Sequence, residues 1–293
     1  MVDPATGKVL GSPERMSERF LGSNSAPAWS PDGRHLAYLS QRGPASERPG
    51  SQTVVIRSVD SGEERDLATR LNLSAPIQWF PDGLSLLVPA QDNNWRWCFY
   101  RVDAQSGSAV LIRQSATLGG PPSPALSPDG KAIFCTRSDL KAQIASLLVH
   151  GIKDGRDKQL YRVVLPAVFD GLAVSRDGRQ LAFAVPDHGL YVMPAAGGEG
   201  REILRAAAVG GPGRIAWTPD GHHVLAVRPT GSPSARNELW RVPLAGGEPR
   251  KIDLPGGVAF PSVHPDGRRF AYTGGRAGQS EVWVLENFLT ALR

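Results

Sequence analysis

Six histidines (His35, His150, His188, His222, His223 and His264) and two cysteines (Cys98 and Cys135) are the side chains of this 293-residue chain suited to soft metal ligation. They are scattered, with no Cys pair at metal spacing and no His-Glu helix motif, so the sequence predicts no metal site and no cofactor. Cys98 stands between Trp97 and Phe99, and Cys135 closes the apolar run from Ala132; both read as small buried hydrophobes rather than as a disulfide. His222 and His223 follow a turn and read as solvated, and His264 reads as a satisfied turn histidine. Nucleophilic catalysis needs Ser or Cys beside a base, yet most serines fall in turns, and no Gly-x-Ser-x-Gly elbow is present. Gly197-Gly198 and Gly246-Gly247 lie inside hairpins and do not precede a helix as a phosphate cradle would. The sequence therefore predicts no catalytic residue.

Binding chemistry is better represented. An Asp recurs along the chain, and the positions six and seven before it are mostly Ala, Ser, Pro or Gly; Asp170, Arg214 and Phe260 are the exceptions. Asp170 and Arg214 belong to adjacent repeats, where they either pair with each other or orient a ligand. The segment Asn93-Asn94-Trp95-Arg96-Trp97 offers aromatic and Arg groups of the kind enriched at interfaces. Trp97 is assigned to the core, and Asn94 and Trp95 to a contact surface. Two long polar stretches, Arg42 to Gln52 and Arg228 to Asn237, add Arg42 and Arg236 as candidates, either covering a central opening or serving as surface connections.

What positions these residues is a repeat. Ser30-Pro31-Asp32-Gly33 returns as Phe80 to Gly83, Ser127 to Gly130, Ser175 to Gly178, Thr218 to Gly221 and His264 to Gly267. The Asp residues at 32, 82, 129, 177, 220 and 266 are 50, 47, 48, 43 and 46 apart, a period suited to four short strands and their loops. Ser or Thr accepts a hydrogen bond at the first turn position, Pro presets the second and Gly relieves the fourth. In the fourth copy Arg176 replaces Pro, and the turn is expected to form without it. Three residues before each Asp stand Trp29, Trp79, Leu126, Val174, Trp217 and Val263, and four before stand Ala28, Gln78, Ala125, Ala173, Ala216 and Ser262. Bulky and small positions thus alternate. After each turn the strand is continuously apolar, as in Leu36-Ala37-Tyr38 and Leu181-Ala182-Phe183, which requires burial on both faces. A two-sheet sandwich would bury only one.

The predicted fold is therefore all-β: one six-bladed β-propeller over 1–293, with four-stranded antiparallel blades near 26–70, 75–114, 122–164, 171–205, 213–253 and 258–286. Val2-Asp3-Pro4-Ala5-Thr6-Gly7 matches the hairpin Val102 to Gly107, while the last repeat stops after its third strand, Glu281 to Leu285. The N-terminal segment within 7–15, centred on Lys8 to Pro13, is expected to complete the sixth blade and remove an exposed edge. Opening in mid-repeat, the chain reads as part of a longer protein. The tail Glu286 to Arg293 is expected to form one helical turn on the rim.

The chain's formal charge of +5 is spread among 33 basic and 28 acidic residues, with no basic arm, so no nucleic-acid partner is predicted. No run of 18 apolar residues exists, so this segment is not expected to insert in a membrane, and Met1 to Gly11 lacks the features of a signal peptide. No compartment is assigned.

The stretch Ala28-Trp29-Ser30-Pro31-Asp32-Gly33-Arg34-His35-Leu36-Ala37-Tyr38 resembles the repeat of TolB-like propellers, and the ending Glu281 to Phe288 resembles propeller regions that follow kinase or regulator modules in bacterial signalling proteins. The resemblance covers almost the whole chain. It implies architecture more than activity, because this repeat serves scaffolds, periplasmic binding proteins and the gating domains of prolyl peptidases. TolB adds an N-terminal domain and an export signal, and peptidase relatives add an α/β-hydrolase domain; neither pattern is seen here. The expected function is non-enzymatic: a monomeric ring that binds a protein, a peptide or a small ligand as the sensing or scaffolding part of a larger bacterial protein. The alternative is a hydrolase or lyase with its site in the central channel.

Overall fold

The Pro-Asp-Gly signature forms a hydrogen-bonded knot. Ser30 Oγ donates to Asp32 Oδ1 at 2.6 Å and accepts from His35 N at 2.9 Å, while Asp32 Oδ1 accepts from Arg34 N at 3.0 Å. Gly33, at φ 73°, donates its N–H to Ser30 O and turns the chain into the next strand. The hydroxyl-to-carboxylate bond recurs at Ser127–Asp129, Ser175–Asp177 and Thr218–Asp220. The serine hydroxyls beside Asp32, Asp129 and Asp177, with the backbone N–H groups that follow, hold those carboxyls below the usual carboxylate range. The turn with Arg176 keeps its Gly178 N to Ser175 O bond, and the Arg176 guanidinium donates to Pro265 O, two blades away, at 2.9 Å.

The computed structural model describes residues 11–17, 19–20, 23–42, 52–115, 123–165, 169–185, 188–205, 214–229, 237–276 and 279–288, with the side chains of Asp170, Arg276 and Gln279 set aside. Six antiparallel sheets follow one another around a ring. Blade 1 comprises Asn24–Trp29, His35–Gln41, Gln52–Ser58 and Glu64–Leu67, and blades 3, 4 and 5 repeat that order. Blade 2 differs because its innermost strand is broken into Asn72–Leu73 and Gln78–Trp79, with a cis Ala75–Pro76 peptide between them.

Each pair of neighbouring blades shares one apolar cluster. Leu39 and Ile56 of blade 1 meet Leu86 and Val88 of blade 2, Phe99 meets Ile133 and Cys135, and Leu147 meets Phe183. Val192 then meets Val224, Leu225 meets Phe270, and Val282 meets Leu36, which closes the circle. The second strands are sealed on both faces, as at Leu36, Ala37, Tyr38 and Leu39, each at most 1% exposed.

Blade 6 consists of Ala259–Val263, Phe270–Arg276, Gln279–Leu285 and, from the other end of the chain, Glu14–Arg15. Glu14 pairs antiparallel with Val284 and Arg15 with Trp283, and Met16 N donates to Val282 O at 2.8 Å. The closing strand lies at the C-terminal end of the expected 7–15 segment, just past Lys8 to Pro13; residues 1–10 lie outside the described part. Beyond the ladder, Ser17 Oγ donates to Glu281 Oε2, which also accepts from Asn24 Nδ2 at 2.7 Å, and all three residues are buried. In the tail, Phe288 is fully buried and stacks on Phe270 with ring centroids 4.4 Å apart. Residues 286–288 form a turn, and the rest of the expected helical turn lies outside the described residues.

Candidate functional site

The innermost strands of all six blades line a central channel of about 290 Å³. Towards the Pro-Asp-Gly face it is walled by Trp29, Trp79, Leu126 and Val174. The Trp79 indole N–H donates to Ala28 O at 3.0 Å and the Trp217 N–H to Ala173 O at 2.8 Å, so each ring is tied to the preceding blade. Gln78 is one of two polar lining side chains, the other being Ser262. Its amide is consumed by Pro124 O at 2.6 Å and Leu126 N at 2.9 Å. Among the described residues no titratable side chain lines the channel.

At the opposite, loop-bearing end the wall is shaped by three residues in the left-handed region: Ala26 (φ 55°), Gly171 (φ 63°) and Phe260 (φ 49°). Each stands six positions before its turn Asp, and each coincides with a shift of strand register. Such bulges re-aim side chains. A bulky residue at positive φ is strained, which singles out Phe260. Half-buried, it lines the mouth and packs against the cluster shared by blades 1 and 2.

The candidates read from the sequence divide as follows. Phe260 is at the mouth; Arg214 occupies the equivalent position of blade 5, half-buried, and its backbone carbonyl accepts from Val227 N at 2.9 Å. Asp170 pairs through its backbone with Ala184, while its side chain, and hence any pairing with Arg214, lies outside the described residues, as does Arg236. Arg42 donates to Asp66 Oδ1 at 2.6 Å and lies 3.2 Å from the Phe20 ring centroid, a tie between the N-terminal segment and blade 1. Asn94 is exposed and contributes a backbone N–H to Asp92 Oδ1.

Trp95 opens on a second cavity, of about 620 Å³, on the same loop-bearing face. The residue is 61% exposed and its φ is 61°. Asp92 builds the turn: Oδ1 accepts from Asn94 N at 2.8 Å and Arg96 N at 3.0 Å, and Oδ2 accepts from Arg96 Nε at 2.8 Å. Gln91 Nε2 donates to Trp95 O at 3.2 Å and its Oε1 accepts from Asn72 Nδ2 at 2.8 Å, joining this loop to the one that enters blade 2. Sequence reasoning missed Thr69, Arg70 and Asn72, which come from that second loop, because nothing in the linear order places them beside Trp95.

Another titratable group went unread. His150 Nδ1 lies 2.8 Å from Asp157 Oδ1, and Arg113 of blade 2 bonds to both. Burial alone would raise the Asp157 carboxyl, but the His150 and Arg113 hydrogen bonds outweigh it and hold the group low. With His150 buried and a single carboxylate shared by an imidazole and a guanidinium, the trio clamps blade 2 to blade 3. Among the described residues no group of three or more His, Cys, Asp and Glu side chains could hold a metal ion.

This ring matches solved propellers. A TolB from Acinetobacter baumannii superposes with TM-score 0.66 at 18% identity, over 87% of this chain and 65% of that one, so the chain spans about two-thirds of that protein's length. A TolB-type protein from Agrobacterium tumefaciens gives TM-score 0.67 at 17% identity over 90% of both chains. The fold is that of a TolB-like propeller. An oligogalacturonate lyase in complex with manganese also matches, with TM-score 0.59 and 13% identity over 100% of this chain and 96% of that one. No protein-family model and no curated protein sequence matches the chain.

Proposed function

We propose that this propeller is a recognition domain that takes a protein or peptide partner at the loop-bearing mouth of its channel, as the sensing or scaffolding part of a larger bacterial protein. One observation carries the reading: the channel is lined by apolar and small side chains with no titratable group among those described, while Phe260 is held in a strained conformation at its mouth. Such a site suits insertion of an apolar side chain better than proton transfer. The likeness to TolB is consistent with it.

The test is photocrosslinking from a benzoylphenylalanine placed at Arg214, with the same probe at exposed Leu84 on the turn-bearing face as control. A partner captured at position 214 and not at 84, and lost in Phe260→Gly, is the expected result. Glycine tolerates φ 49°, so that variant removes the ring without adding strain. The second reading, a channel hydrolase or lyase, is favoured by the likeness to the oligogalacturonate lyase. Turnover of an oligogalacturonate or peptide, abolished by Asp170→Asn or Arg214→Ala, with no partner captured, would replace the first reading with the second.

A further inference from the structure

We infer that the groove beside Trp95 is a saccharide-binding site that takes a pyranose ring of a glycan chain. Two independent features point there. First, the backbone at Trp95 sits in a conformation that L residues rarely adopt, and the Asp92-capped turn holds it there with the residue 61% exposed. Strain kept in place to display a large apolar ring is a mark of a binding position. Second, the cavity beside that ring is walled by side chains with unused hydrogen-bonding capacity. Thr69 Oγ is buried without a partner, and the Asn93 amide and the Arg70 guanidinium make no side-chain hydrogen bond among the described residues. Asn72 spends one N–H on Gln91 and keeps its carbonyl oxygen.

A flat aromatic face next to several planar donors and acceptors complements a ligand with one C–H-rich face and hydroxyls around its edge, which describes a pyranose. Other ligands fit less well. Leu71 is the one aliphatic side chain in the lining, so a fatty chain or an apolar peptide anchor lacks a slot. Arg96 is held by Asp92, which leaves Arg70 as the lining cation without a counter-charge, fewer than a nucleotide's phosphates need. The volume of about 620 Å³ falls within the size range of small-molecule pockets.

This inference does not rest on the channel reading. The test is a calorimetric titration of the intact chain with cellohexaose, xylohexaose, maltohexaose, chitohexaose and hexagalacturonate, alongside an unrelated peptide mixture and ATP. At least one oligosaccharide should bind saturably. Affinity should fall about tenfold in Trp95→Gly, which relieves the backbone while deleting the ring, and recover in large part in Trp95→Tyr. Thr69→Val should weaken the same sugar, and Phe260→Gly should leave it unchanged. Failure of every oligosaccharide to bind at millimolar concentration, equal affinity in Trp95→Gly, or saturable binding of peptide or ATP instead would overturn the proposal.

Discussion

Replacing Glu281 with Ala tests how the ring is held shut. Its Oε2 accepts from the Ser17 hydroxyl and from Asn24 Nδ2, so one carboxylate joins the N-terminal segment, blade 1 and blade 6. Hydrogen bonds to a charged group contribute roughly 1.5–3 kcal/mol each. The gross loss is therefore about 3–6 kcal/mol for two such bonds. Two terms reduce it: the variant no longer buries a carboxylate, and Asn24 Nδ2 keeps the Phe20 carbonyl at 2.6 Å. The expected net destabilisation is about 2–3 kcal/mol in urea unfolding followed by circular dichroism, with the slope against urea unchanged. Ser17→Ala alone should cost about 1–2 kcal/mol, and the double variant should cost less than the sum by about 1 kcal/mol. The Val282 amide, which donates to Ser17 Oγ at 3.3 Å, should exchange faster in every variant. A Glu281→Ala loss under about 0.5 kcal/mol, or strict additivity with Ser17→Ala, would refute the view that this cluster secures the closure.

Gly33→Ala and Gly221→Ala make a matched pair, since both residues sit near φ 70°, but a Cβ at Gly33 would lie 2.2 Å from His264 Nε2 whereas one at Gly221 meets nothing within 4 Å. Gly221→Ala should cost about 1 kcal/mol of backbone strain and Gly33→Ala clearly more, as read from urea midpoints; equal losses would show that His264, whose Nε2 lies 3.0 Å from Gly33 O across the junction of blades 6 and 1, does not confine that turn. Burial pushes the Cys135 thiol up to about 11, so a disulfide reagent at pH 8 should leave Cys135 unlabelled in the folded protein and label it on unfolding. Because Asp32, Asp129 and Asp177 titrate below their unfolded values, the unfolded chain binds more protons in acid. Stability should be full above about pH 5 and fall as pH drops through the carboxylate range, and Asp129→Asn should flatten that slope in acid-titrated melts.

The turn tetrapeptide made the architecture legible because its hydrogen bonds are local: Ser30, Asp32 and His35 are near neighbours in sequence as well as in space. Arg176 shows the limit of that reading, since its turn forms as expected while the reach to Pro265 depends on the diameter of the ring. The bulges at Ala26, Gly171 and Phe260 could not be anticipated, for two of the three residues are not types that favour positive φ. Trp95 was recognisable as an exposed aromatic, whereas its groove depends on the Asn72–Gln91 bond between two loops whose partnership only the folded blade defines. Arg42 looked like an available cation, and Asp66 and Phe20 engage it.

The pairing that seals the sixth blade also fixes how the molecule answers a mechanical load. Because Glu14 lies opposite Val284 and the strands run antiparallel, tension applied through flanking chain at both ends bears on the same end of the seam and unzips it rung by rung. Shear, which would strain every rung together, is avoided. The unzipping should stall where Ser17 meets Glu281, four residues in from Glu14 counted inclusively, so that a tethered propeller would loosen one short strip before its apolar interfaces are exposed.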